Sequence, residues 1–467
     1  MIPSLRNLLQ PANRLPPETL SHIARYVLDE NAKDTKSIIP LTHVCRYWRE
    51  SIVSTPGNWT LISSERNGLA VLSLERCKTV PLRLWLDFYQ IRENPGFSAL
   101  ITPHIQNAKT LRIGSIETIE AFAQTLPNFS RSMPNLQSLS LSSVRPGGYP
   151  DWDWGLSTPA LTRLSLKDIN LQPSFLHLRT LTDLSLCYHQ SNFHLDALLD
   201  FLEGNQSLER VVLEVLYTEP ALQSSRPRAA IRNRLQSLTL SFGEFADANA
   251  LISSVTLQRG AHLGISLYDR TAGLNVLRSI VSVAHLSNLN SPTHMEYNPD
   301  HENIRLLGPA GSFSFGTLHM GDPFAELPQP HLTNIRSFRL IRRAPRSSRS
   351  PIKRVVLPSS PLPTLETFTV ECEVAVSHLL STLFSNPSSS PSLRILAFLD
   401  CNLDEDFMGE LTRFASTRKN TTSARLHRVV IVNSKGELPS VALIDELWRH
   451  VPVVDVRVGR ELPADLT

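Results

Sequence analysis

The side chains capable of chemistry in this chain are dispersed, and none of them completes a catalytic set. His301 and Glu302 begin a helix-borne metal motif, but no second histidine follows at the spacing that would put two imidazoles on one helix face. Asp151 and Asp153 alternate with Trp152 and Trp154 in a stretch rich in Gly and Pro. That pattern suits a loop packing its aromatics better than two acids sharing a proton. Cys45, Cys77, Cys187, Cys372 and Cys401 form no Cys-x-x-Cys pair, so neither a zinc site nor a disulfide frame is implied and reduced thiols are expected. Gly-x-Ser-x-Gly, a phosphate loop and a dinucleotide glycine pattern are all missing. The expectation is a protein that is not an enzyme and that uses no cofactor or metal.

One charged run remains to be explained. RLIRRAPRSSRSPIKR, residues 339–354, holds seven basic residues and no acidic one. Arginine forks suit acidic or phosphorylated partners, while a nuclear-import signal, weak RNA contact and a solvated loop between strands stay open as readings. Ser347, Ser348 and Ser350 are possible phosphate acceptors within it. Elsewhere the charge balance is close to even, +3 over 467 residues, and gives no support to a nucleic-acid or membrane partner. No apolar run approaches the ~20 residues of a membrane span, and the N-terminus lacks the pattern of a secretory leader. The expected location is the cytoplasm or nucleus.

The elements that would position such residues are repetitive. A Leu-x-x-Leu-x-Leu frame, with apolar substitutes, starts at Leu136, Leu161, Leu181, Leu208 and Leu235, then again at Ile335, Leu365, Leu393, Leu426 and Val451. Recurrence every 20–33 residues, with helical stripes such as Leu195, Leu198, Leu199 and Leu202 between frames, is the signature of a leucine-rich-repeat-like solenoid. The alternative is an ordinary α/β domain. Three residues past the last frame leucine an Asn or Cys is expected, yet Val144, Ile169 and Leu216 stand there. Cys401 alone keeps the pattern, so irregular curvature is expected. The frame also fades over 273–330, where the run SFSFGTL, residues 312–318, is the clearest strand.

Residues 13–62 have a different texture. Leu15-Pro16-Pro17-Glu18 places prolines where a helix should begin. Leu20, Ile23, Ala24 and Val27 follow at the spacing of one helix face, and Leu41, Val44, Cys45, Trp48 and Ile52 form a second stripe. Thr55-Pro56-Gly57-Asn58-Trp59 is a turn carrying an aromatic anchor. Fifty residues bury too little surface to stand alone comfortably, so a neighbour or partner is expected.

The succession LPPETLSHIARYVL, PLTHVCRYWRESI and TPGNW resembles an F-box of the kind common in mushroom-type fungi, with a linker of about 12 residues between the stripes. The segment ERNGLAVLSLERCKTVPLRLWLD, read as helix then strand, is similar to the one directly after the F-box in those proteins. The resemblance implies docking onto a Skp-family adaptor, and through it a cullin, by Leu15, Pro16, Ile23, Val44, Cys45 and Trp48, some of which also serve as module core. It implies a non-catalytic substrate-receptor subunit of an SCF-type ubiquitin ligase, a monomer within a hetero-complex. The alternative is a protein-interaction scaffold whose helices merely cap the repeats.

The expected architecture is therefore α/β. Residues 1–12 form a tail, 13–62 an all-helical F-box-like module, 63–107 a joining helix and strand, and 108–467 an irregular leucine-rich-repeat-like solenoid with a basic loop near 342–354. Parallel strands would line one face and helices the other. Residues between frame leucines line the strand face, small and polar at Ser140, Ser142, Ser165, Lys167, Ser185 and Cys187. Late in the array Ala397, Leu399, Val430 and Val432 make an apolar strip on a face expected to be wet. Arg339, Ile341, Glu371, Leu399, Val430 and Val432 are accordingly the expected client contacts, with a covering tail or loop as the alternative.

Overall fold

A computed structural model describes residues 11–30, 35–65, 67–126, 132–144, 158–169, 178–188, 195–215, 231–232, 234–243, 251–268, 292–298, 303–317, 332–342, 362–372, 390–401, 403–421, 425–433 and 439–458. The chain is mixed α/β, with a large, mostly parallel sheet and ten α-helices among those residues. It divides into two compact units, Met1–Glu219 and Pro220–Thr467.

In the first unit, helix α1 (Pro17–Glu30) begins at the proline pair, and the Pro16 carbonyl accepts the Leu20 amide at 3.1 Å. Leu20, Ala24 and Leu28 are buried, whereas Ile23 and Val27 are only half-buried, so the inward face is turned slightly from the expected one. The second stripe is not one helix. Helix α2 (Ile39–Thr42) stops, Cys45 is extended at φ −161°, and α3 (Arg46–Ser54) starts afresh. Thr42 Oγ1 donates to the Ile39 carbonyl at 2.7 Å and Arg49 Nε to the Thr42 carbonyl at 3.0 Å, closing the end of α2. The break turns Val44 to solvent while Trp48 and Ile52 stay inside.

The Pro56–Trp59 turn locks this packing. Buried Asn58 accepts from Ser21 Oγ at 3.0 Å and donates to the Ile52 carbonyl at 3.3 Å, which Trp59 Nε1 also reaches at 3.1 Å. Arg76, from α4 (Asn67–Cys77), covers the Trp59 ring at 4.4 Å. A buried amide with these partners is satisfied, and losing them would cost roughly 1–3 kcal/mol.

The chain then enters the sheet. Strands β1 (Leu61–Ser63), β2 (Leu82–Asp87), β3 (Ala108–Ile116), β4 (Ser138–Ser143), β5 (Arg163–Lys167), β6 (Asp183–Tyr188) and β7 (Arg210–Val215) pair in parallel in sequence order. Helices α5 (Phe88–Glu93), α6 (Pro95–Ile101), α7 (Ile119–Thr125) and α8 (Leu195–Gly204) fall between strands along the chain. Each frame from Leu136 to Leu208 starts two residues before its strand. Its leucines are buried and the residues between them point the other way, as period-2 alternation requires. One frame escaped the sequence pattern: Ala108, Leu111 and Ile113 build β3.

A shared exit also emerges. Ser115, Asp168 and Asp400 stand seven residues after Ala108, Leu161 and Leu393, with φ of 61°, 54° and 52°. The Asp168 and Asp400 amides donate to the next strand at 2.7 and 2.8 Å, which offsets part of the cost of the left-handed backbone. Cys401 follows Asp400, with Sγ 3.4 Å from the Val370 and Leu399 carbonyls, a backbone contact that the apolar Val144 and Ile169 at the equivalent position have no polar atom to make.

The second unit opens with a short parallel pair, β8 (Ile231–Arg232) and β10 (Val255–Thr256). Its main array holds β9 (Ser237–Phe242), β11 (His262–Leu267), β12 (His294–Asn298), β13 (Asn303–Gly308) and β14 (Gly311–Thr317). After them come β15 (Ser337–Arg342), β16 (Thr367–Cys372), β17 (Ile395–Leu399), β18 (Arg428–Asn433) and β19 (Val453–Val458). The spatial order is β9-β11-β14-β13-β12-β15-β16-β17-β18-β19, and β13 alone runs antiparallel to its neighbours. Within the faded stretch β12–β14 thus form a meander inserted in reverse order, with Gly311, at φ 140°, opening β14 opposite Gly308. Later strands resume sequence order, with Phe338 stacked on Phe368 at 5.3 Å. Helices α9 (Glu405–Thr421) and α10 (Val441–Trp448) lie between β17, β18 and β19, as their stripes require.

Candidate interaction surfaces

The six N-terminal positions separate by burial. Trp48 is a core residue of the helices. Leu15, Ile23 and Cys45 are half-buried, and the Leu15 carbonyl accepts the Tyr47 hydroxyl at 2.8 Å, which ties the segment before α1 to α3. Pro16 is exposed, and Val44 is 52% exposed. Tyr26, which sequence periodicity did not single out, is 68% exposed. Solvent-facing Val44 and Tyr26, beside a core already closed by Leu20, Ala24, Leu28, Trp48 and Trp59, leave apolar area available to a partner.

On the strand face of the first unit the register sets three rows. Trp85, Arg112, Ser140, Ser165, Ser185 and Val212 form the middle row. Thr110, Ser138, Arg163, Asp183 and Arg210 lie on one side of it, and Lys167, Cys187 and Glu214 on the other. All are half-buried or exposed, so this face is wet. Asp183 bonds Arg210 and accepts from Thr182 Oγ1 at 2.7 Å; burial opposes ionisation, but these bonds prevail and hold its carboxyl below the usual range. Burial first, then the charge and hydrogen bond of Glu214, push the Cys187 thiol up to about 12. Nucleophilic use of that thiol is thereby disfavoured.

At the carboxyl ends of β1–β3 this face opens into a cavity of about 200 Å³ lined by Ser63, Ser64, Glu65, Trp85, Asp87 and Arg112, among others. The Arg112 guanidinium lies 4.9 Å above the Trp85 ring. Asp87 is committed, accepting Ser115 Oγ at 2.6 Å and capping α5 through the Gln90 amide at 3.1 Å. The cavity thus holds polar groups joined in a network.

The second unit's face differs along its length. Arg339 pairs with Glu371 at 2.7 Å and with Glu296 at 3.9 Å, and Arg305 reaches Glu296 at 3.5 Å. At the far end Asp455 pairs with Arg428 and Arg457, each at 2.9 Å, and the Arg457 bond leads in holding its carboxyl below the usual range. Between these networks the residues expected to be a surface strip are a buried cluster: Ala397 0%, Leu399 6%, Val430 0% and Val432 4% exposed. Leu399, Val430 and Val432 are therefore buried, not the open contacts expected from alternation. Both faces of β17 and β18 are buried, the pattern of a parallel strand enclosed on two sides. Arg339, Ile341 and Glu371 stay half-buried at the edge of that cluster, with Arg339 and Glu371 bound to each other. The basic run beyond Arg342, and Asp151–Trp154 and His301–Glu302, lie outside the described residues.

A second polar group sits where β9, β11 and β14 meet. His262 Nδ1 is 2.7 Å from Ser312 Oγ and Nε2 is 3.4 Å from Ser314 Oγ. A Cβ at Gly264 would come within 3.1 Å of Ser314 Oγ and 3.2 Å of that ring, so glycine leaves room for the cluster. Burial, and secondarily the charge of Arg305, lower the imidazole's pKa. Neither this cluster nor the Trp85–Arg112 stack was legible in the sequence, because both join strands far apart along the chain.

Among the described residues no group of three His, Cys, Asp or Glu side chains could hold a metal ion, and no helix is long and apolar enough to cross a membrane. No protein-family model and no curated protein sequence matches the chain.

Proposed function

We propose that this chain is the substrate-receptor subunit of an SCF-type cullin ubiquitin ligase. In this reading residues 13–62 are an F-box-like module that docks a Skp-family adaptor, and the strand array is a leucine-rich-repeat-like solenoid that holds a client protein. Such a subunit needs no catalytic group, because holding client and ligase together raises their effective concentration. What carries the reading is that Pro16 and Val44, on the segments that resemble the F-box, are exposed apolar residues flanking helices whose own core is already closed. Frames that start two residues before successive parallel strands support the solenoid.

The second reading, a scaffold whose helices only cap the repeats, draws on β1: it pairs with β2, and the Arg83 amide donates to the Thr60 carbonyl at 2.8 Å. Co-purification with a Skp-family adaptor separates the two. Wild type is expected to retain the adaptor and Val44→Asp to lose it while melting at the same temperature. Folded wild-type chain that retains no adaptor would favour the scaffold.

A further inference from the structure

The open strand face of the first unit is the part of this molecule best fitted to a client, and its charges define what it fits. On β2–β7 the acids are engaged: Asp87 with Ser115 and the α5 amide, Asp183 with Arg210, and Glu214 with Cys187 Sγ at 3.5 Å. Three cations on the same face, Arg112, Arg163 and Lys167, make no ion pair within 4.0 Å among the described residues, and Arg163 acts only through its charge on Asp183, opposite it in the register. The Arg112 guanidinium lies over the Trp85 ring at 4.9 Å while the residue stays exposed, so the side chain is restrained yet open to a carboxylate. Charge complementarity therefore selects an acidic partner.

Spacing sharpens the choice. Arg112 stands on β3, and Arg163 and Lys167 flank Ser165 on β5, two strands away. Exposed Val212 lies two strands further, on β7, in the same row as Arg112 and Ser165. Neighbouring strands are about 4.8 Å apart, so each step is about 10 Å, or about three residues of an extended chain. The hydroxyls of Ser140, Ser165 and Ser185 between these points are small enough to let a backbone approach and can bond it.

We infer that this face binds an extended client segment lying across the strands, with two acidic residues three positions apart and an apolar residue three further on. The first carboxylate meets Arg112, the second sits over Ser165 between Arg163 and Lys167, and the apolar side chain covers Val212. The inference rests on the substrate-receptor reading for its biological sense, but its chemistry is tested apart from the adaptor.

The test is fluorescence anisotropy of the full chain with a labelled peptide, Gly-Ser-Glu-Ser-Gly-Glu-Ser-Gly-Leu-Gly. Controls are a twin with both Glu changed to Gln and an isomer with the two Glu adjacent. Binding is expected to weaken as salt rises. Arg112→Ala and Lys167→Ala should each weaken it by about fivefold or more, with the Gln twin at least as weak. Arg413→Ala, on α9, should leave it unchanged. Equal affinity for either control peptide, no effect of Arg112→Ala and Lys167→Ala, or no binding up to about 1 mM peptide overturns the inference. A chain that takes the peptide but not the adaptor keeps this inference and sinks the ligase reading; the reverse outcome sinks this inference alone.

Discussion

Arg418 offers the sharpest energetic test, because a full positive charge is buried for a structural purpose. The side chain is 0% exposed and packs against the Phe414 ring at 5.6 Å. Its guanidinium donates to the Ser390, Pro391 and Leu393 carbonyls at 3.0, 3.2 and 3.1 Å, so α9 pins the loop that delivers β17 to the sheet. Burial lowers its pKa, the expected direction for a cation taken from water. Arg418→Met keeps most of the apolar volume but strips the three carbonyls of their donor. Ser390 retains the Leu393 amide at 3.2 Å and exposed Pro391 can turn to water, so the loss falls chiefly on the buried Leu393 carbonyl. At roughly 1–3 kcal/mol for that buried carbonyl, less the relief of no longer burying a cation, a net loss of about 1–2 kcal/mol is expected. Arg418→Ala adds a cavity and should cost about 3–5 kcal/mol. Thermal melting should fall by on the order of 5–10 °C for a unit of this size, with faster amide exchange in β17. A variant within about 0.5 kcal/mol of wild type, with unchanged exchange in β17, would refute the reasoning.

Two further outcomes concern the titrating groups. His262 is held below its ordinary value of 6.5, so the unfolded chain takes up a proton before the folded one does. Stability is therefore lost as pH falls below 6.5, and the urea midpoint should drop between about pH 7.5 and about pH 5.5 by more in wild type than in His262→Gln. Cys187, raised from 9.0 to about 12, shows the opposite course. The folded state keeps its proton while the unfolded thiol ionises, so its stabilising contribution erodes above pH 9.0 and is lost as pH rises through about 12. Alkylation at about pH 8 should be slower at Cys187 than at half-exposed Cys45, and Glu214→Gln should quicken it; equal rates in wild type and variant would remove Glu214 as a cause.

Much of the fold is legible in the sequence because it is local. A frame leucine fixes its own strand by alternation, which is why LQSLSL and LHRVVI both read correctly. The frame beginning at Ala108 escapes notice because Ala is a weak apolar signal, although its position is buried. The second N-terminal stripe reads as continuous because Val44 and Cys45 keep helical spacing; Thr42 and Arg49, bonding back to the chain, stop the helix instead. The reversed order of β12–β14 has no local signature, since pairing order is decided by contacts between distant strands. The same limit hides the site chemistry. Ala397, Leu399, Val430 and Val432 look like surface by alternation alone, and only the packed chain shows them enclosed.

Adaptor docking through the N-terminal helices can be tested by mixing purified chain with purified Skp-family adaptor and measuring the mass of the eluting species by light scattering. Docking at the exposed Val44 edge predicts a one-to-one complex from wild type and two separate species from Val44→Asp. Two separate species from folded wild-type chain would contradict it.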